Sequence, residues 1–181
     1  MPYIIEIVQA GRTVEVQKYY SSRYGKKGIK RGKNRSITKE EQRRVNKRAA
    51  EKKLRRIINE NFQEGDTHLV LDYRKDRRPA DRKQMRADAD DFLREMRKMY
   101  KGLGIPFKYI HVMEIGKKGA LHHHLIINTP EEISQREIVR CWKGRGRTHH
   151  NPLDDTGQYA QLAAYLIKQS DGMLKEPDAL Q

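Results

Sequence analysis

Three consecutive histidines, His122, His123 and His124, stand in an otherwise apolar run, residues 120–128, that reads as a β-strand. Side chains alternate between faces on a strand, so His122 and His124 point the same way. Their Cα atoms would lie roughly 6.5 Å apart, a spacing at which two imidazoles can grip one ion. Glu114 lies on the preceding strand-like segment, residues 107–115. With a turn centred on Lys117 and Lys118 it falls opposite Leu121 or His122, bringing a carboxylate and two imidazoles to one face. Nitrogen and oxygen donors without thiolate suit Mn²⁺ or Mg²⁺ held partly through water and substrate phosphate. His123 should face the other way; it and His111 stand as alternative ligands.

A second pair, Tyr165 and Lys168, lies three residues apart in a helical pattern over residues 159–169. That spacing puts a phenol and an ammonium on one side. A phenol of pKa about 10 is a weak nucleophile. A neighbouring cation favours the phenolate and offsets the charge of a phosphate under attack. Tyr159 precedes Tyr165 by six residues, about 600° of helix, so the two hydroxyls do not share a side and one nucleophile is expected.

Taken in order, these groups resemble the HUH endonuclease superfamily, in particular its replication-initiator branch. The family pattern is a strand motif, two histidines around one residue, then a helical tyrosine with a lysine three residues on. This chain offers His68 to Tyr73 for the first, His122 to His124 for the second, and Tyr165 with Lys168 for the third. Glu114 takes the place of the acidic third ligand. The residue between the paired histidines is hydrophobic as a rule in the family, whereas here it is His123. The resemblance covers residues 67–169 and is greatest to small replication-associated proteins of phages and mobile elements. It implies metal-dependent transesterification of single-stranded DNA at a replication origin, leaving a 5′-phosphotyrosine and a free 3′-OH, in rolling-circle replication. A transposase or relaxase of the same superfamily is an alternative, as are a water-using phosphodiesterase and a non-catalytic basic nucleic-acid-binding module.

The elements that must position these residues follow from periodicity. Residues 3–20 read as a hairpin turning at Ala10 and Gly11, with alternation at Thr13, Val14, Glu15 and Val16. Residues 23–35 hold seven Lys or Arg and no acid, which predicts an arm that buries no core. Thr38 and Glu41 have capping-box spacing and open a helix running to about residue 59. Residues 67–73 read as a core strand. After a charged loop, Ala87, Phe92, Leu93, Met96 and Tyr100 give helical spacing. The two site strands follow, then a helix from Pro130 and Glu131 to about Trp142, a polar basic stretch, and the last helix. The reading is an α+β fold: a central antiparallel sheet, mixed at most, of about five strands flanked by helices. The resemblance makes it a ferredoxin/RRM-like HUH fold. One domain over residues 1–181 is expected: the hairpin (about 3–20), the basic arm and helix (about 23–60) and a catalytic core (about 66–170).

Charge points the same way as chemistry. The 39 Lys and Arg exceed the 24 Asp and Glu by 15, which favours a polyanionic partner. Arg23, Lys26, Lys27, Lys30, Arg31, Lys33, Arg35, Arg43 and Arg44 are candidates for backbone phosphates, with Arg145 and Arg147 as a further pair. Tyr19, Tyr20 and Tyr24 can stack on bases. No apolar run is long enough to span a membrane and no signal-peptide layout is present. The near absence of cysteine fits a reducing cytoplasm, which the resemblance makes that of a prokaryotic host. A single cysteine, Cys141, leaves any metal to His and carboxylate. No GxxxxGK[ST] loop occurs, so a host helicase is the expected partner.

Overall fold

The computed structural model describes residues 3–21, 25, 27, 28, 37–116 and 120–173, the last four by backbone alone. Strands β1 (Tyr3–Ala10) and β2 (Thr13–Tyr20) pair antiparallel, from Ala10 opposite Thr13 to Tyr3 opposite Tyr20. Gly11 in the turn has φ +54°, and a Cβ there would lie 1.9 Å from the Asn59 carbonyl oxygen. Glycine alone lets the hairpin sit against the end of helix α1 (Lys39–Asn61). The two are joined mainly by polar contacts: Arg55 and Arg56 donate to Glu15, Lys52 to Gln17, and Asn59 to Thr13. Thr38 and Glu41 form the expected capping box at the start of α1.

The main sheet is antiparallel throughout, in the order β4 (Tyr109–Ile115), β5 (Leu121–Ile127), β3 (Thr67–Asp72), β6 (Thr148–Pro152). Helices α2 (Arg82–Gly102) and α3 (Gln135–Cys141) cover one face. There Met85, Phe92, Met96, Tyr100, Ile138 and Trp142 pack on Leu69, Leu71, Leu125 and Ile127. The C-terminal half of α1 and helix α4 (Ala160–Met173) cover the other, where Ile58, Phe62, Ala163 and Leu166 close on Ile126. The α+β class therefore holds, with four strands in the central sheet and the hairpin as a sheet of its own.

Three boundaries differ from the sequence reading. Asp81 accepts from the Gln84 amide and opens α2 at Arg82, so the inward residues are Met85 and Ala89 while Ala87 is exposed. Ser134, boxed with Glu137, opens α3 four residues after Glu131. The polar stretch before α4 contains β6, an edge strand whose Thr, His and Asn side chains carry no apolar alternation. Only pairing with β3 makes it a strand.

Gly146 leads into β6, and a Cβ there would fall 1.9 Å from the Asp72 carbonyl oxygen. Gly146→Ala should therefore push β3 and the β6 edge apart, costing about 2 kcal/mol by overpacking. Thermal unfolding should show a Tm lower by roughly 4–8 °C, as expected for a chain of this size.

Candidate active site

The pleat and register of three strands assemble the candidate residues. Across the sheet, Glu114 of β4 lies opposite His122 of β5, which lies opposite Asp72 of β3. One row along, Val112, His124, Val70 and His149 line up in the same way, followed by His68 beside Ile126. Of the two partners that hairpin geometry allowed for Glu114, the structure selects His122. Together Asp72, Glu114, His122, His124, His149 and Tyr165 line an open cleft of about 470 Å³.

Each imidazole in the cleft has an acidic neighbour. His124 Nε2 donates to Glu114 Oε2 at 2.5 Å, and His149 Nε2 donates to Asp72 Oδ2 at 3.0 Å. His122 Nδ1 lies 2.8 Å from Asp72 Oδ1. That contact lacks hydrogen-bonding geometry, and Asp72 Oδ1 is buried with no hydrogen-bond partner. A buried carboxylate oxygen with no donor is costly unless a cation lies beside it. Among the described residues, no three His, Cys, Asp or Glu side chains are grouped tightly enough to hold an ion as they stand. The donors form acid–imidazole contacts on one face. Their chemistry, imidazoles with two carboxylates and no thiolate, fits a hard divalent cation such as Mn²⁺ or Mg²⁺. Asp72 is the member that the residue pattern alone did not single out as a donor. Its only signal there was its place at the end of the first strand motif.

Helix α4 lays Tyr165 over this face. The Tyr165 ring is 5.3 Å from that of His124 and 6.2 Å from that of His68, edge-on to both. Burial raises the phenol's pKa above its usual value, and the Glu114 charge raises it further. Lys168, exposed one turn on, is not among the groups that shift it, so the expected lowering by the ammonium does not occur here. Tyr159 is buried and donates to the Asp154 carbonyl, away from the cleft.

His123 points through the sheet to the α2 side, as alternation requires, and is fully buried. Its partners form a chain whose direction is set by an acceptor-only end. Tyr73 OH donates to Asp88 Oδ2, so its oxygen accepts from His123 Nε2 at 2.8 Å. His123 Nδ1 then accepts from His111 Nε2 at 2.9 Å. Burial keeps His111 neutral, with a pKa of about 4, and holds His123 well below its usual value. Both alternative ligands are thus tied up behind the cleft.

The candidate phosphate contacts divide. Arg23, Lys26, Lys30, Arg31, Lys33 and Arg35, with Tyr24 and the turn residues Lys117 and Lys118, lie outside the described residues. Lys27, Arg43, Arg44 and Arg147 are exposed. Arg145 is paired with Asp88 and Asp91 and stacks over Trp142, which leaves its charge largely offset within the fold. Tyr19 and Tyr20 present their rings to solvent. Among the described residues, no helix is long and apolar enough to cross a membrane.

The sequence model of the replication-associated protein ORF2/G2P family matches residues 66–170, more than half of the chain. The match begins where β3 begins and ends within α4, enclosing the whole cleft. No curated protein and no solved structure gives a significant match.

The buried histidines make stability pH-dependent. Between pH 6.5 and about 4 the unfolded chain takes up a proton at His111 that the folded chain refuses, so stability falls as pH drops through that window. Asp91, held at about 2 by Lys143 and Arg145, adds its loss only below pH 3.8. A Tm series should slope between pH 6.5 and 4, and His111→Gln should lessen that slope without abolishing it, because burial also depresses His68 and His123.

Proposed function

The chain belongs to the replication-associated protein ORF2/G2P family, and from that premise we propose that it is an HUH-type nickase that cuts and rejoins single-stranded origin DNA to start rolling-circle replication. The observation that carries this reading is the docking of Tyr165 over His124, on the sheet face that also holds Glu114, His122 and Asp72.

In the proposed reaction the Tyr165 oxygen attacks the scissile phosphorus and the bond to the 3′-oxygen breaks. The products are a 5′-phosphotyrosine and a 3′-OH, the phenolic proton having been given up and one taken by the leaving oxygen. A divalent cation held by His122, His124 and Glu114, with Asp72 beside them, would supply Lewis-acid charge at the phosphate. Burial and Glu114 hold the phenol's pKa above its usual value, and a cation at the phosphate would offset that effect. Lys168 offers its ammonium to the phosphate from the same side of α4. The bond energy kept in the phosphotyrosine allows the strand to be rejoined. The shallow cleft requires a phosphate freed from a duplex, and melting the origin falls to a host helicase, in the cytoplasm of a prokaryotic host.

Two measurements test this. With Mn²⁺ and pooled single-stranded oligonucleotides, a covalent protein–DNA adduct should form, vanish with EDTA, and be absent in Tyr165→Phe. Cleavage persisting in Tyr165→Phe would point to water, and binding without any adduct to a non-catalytic module. By calorimetry, Asp72→Asn should weaken Mn²⁺ binding about 10- to 100-fold, with Asp72→Glu recovering part of it. Unchanged affinity would remove Asp72 from the ion's surroundings.

A further inference from the structure

Helix α1 has two unlike halves. From Leu54 onward it packs against α4, with Leu54, Ile58 and Phe62 meeting Leu162, Ala163 and Leu166. Every residue from Lys39 to Ala49 is exposed, whichever side of the helix it occupies. Eleven residues make about 16 Å of helix, three turns standing clear of the fold. The free half is capped and regular, so it is held as a helix without a packing partner of its own. A helix polar nearly all round has its partner elsewhere or is sustained by its own ion pairs. Among the described residues, the ion pair that this half makes is Lys47 with Glu51, at 3.9 Å.

Its chemistry names the partner. At 100° per residue, Lys39, Arg43, Lys47, Arg44 and Arg48 fall within about half of the circumference. Glu40, in the first turn, is the one acid among them, and Glu41 is bound to Thr38. Such an arc fits a polyanion, not an apolar groove or a bilayer. It also favours duplex over single-stranded DNA. Single strands are held in basic grooves lined with aromatic stacking platforms, whereas this half-helix is convex and has no aromatic residue. A bare helix of about 10–12 Å diameter is what the major groove of a duplex admits.

We propose that the free half of α1 is a duplex-DNA-binding helix that lies in the major groove beside the strand to be cut. The rest of the same helix packs on α4, which carries Tyr165, so the bound duplex is held at a set position relative to the nucleophile. The placement relative to Tyr165 rests on the nicking reading, whereas duplex binding by α1, which lies outside the family-matched segment, is tested independently of it.

The test compares the full chain with a Lys39→Gln, Lys47→Gln, Arg48→Gln variant, which keeps good helix formers and should keep the circular dichroism spectrum. Fluorescence anisotropy is read on a mixed-sequence duplex and on a single strand of the same length, across a salt series. Duplex affinity should fall at least about tenfold, and the slope of log K against log salt should shrink by about 2–3. Affinity for the single strand and adduct formation on it should stay within about twofold. The inference is overturned if the unaltered chain fails to bind duplex, if the variant binds it equally well, or if single-strand binding falls in parallel. A single-strand adduct that survives any of these leaves the nicking reading intact.

Discussion

Strand β5 carries three imidazoles in a row; His123 and His124 are buried and must find partners away from water, while His122 stays half-buried at the cleft. Unpaired polar groups in such a place cost several kcal/mol, so much of the fold can be read as the set of answers. On one face β4 and β3 bring Glu114 and Asp72 alongside His122, and Glu114 reaches His124. On the other, Tyr73, His111 and, through Tyr73, Asp88 satisfy His123. The apolar layers outside, with Trp142 and Phe92 behind and Ile58 and Leu166 in front, keep this polar seam dry enough for its pairing to matter.

That arrangement separates two tasks among chemically identical side chains. His122 and His124 stay at an open cleft beside Glu114 and Asp72. His123 is locked in a one-way hydrogen-bond chain that ends on Asp88, itself held by Arg145. The locked residue pins the middle of the strand, and its two neighbours are thereby aimed at the cleft. The same electrostatics restrain Tyr165. The Glu114 carboxylate at the cleft disfavours a phenolate, so with burial it holds the Tyr165 pKa above its usual value.

The hairpin and α1 lie ahead of the family-matched segment. Their mutual contacts are mostly polar, with Glu15 between Arg55 and Arg56. Burial alone would raise the Glu15 carboxyl, but the hydrogen bonds and charges of those two arginines outweigh it and hold it below its usual value. Only the second half of α1 joins the core. The N-terminal region is thus attached to the layer that carries Tyr165 through α1, with Arg12 of the hairpin also donating to the Asp155 carbonyl ahead of α4.

Local chemistry settled what could be read along the chain. The apolar periods of β3, β4, β5 and α2, the capping box at Thr38, and the alternation that splits His123 from His122 and His124 are short-range properties of bonds and sterics. The family order of histidines and tyrosine is likewise a matter of sequence. Register, by contrast, is decided by long-range pairing. It put Glu114 opposite His122 instead of Leu121, and turned Asp72, some fifty residues away, into a member of the same row. It also made a strand of β6, whose edge position asks for no apolar side chains. The pKa of Tyr165 is raised by burial and by Glu114, which is distant in sequence, and lowered by a hydrogen bond with Gln169 one turn on, so the neighbour that the sequence singled out, Lys168, was a poor guide. The fate of Arg145 shows the same division: its charge is written in the sequence, but only the packing of α2 decided that Asp88 and Asp91 would absorb it.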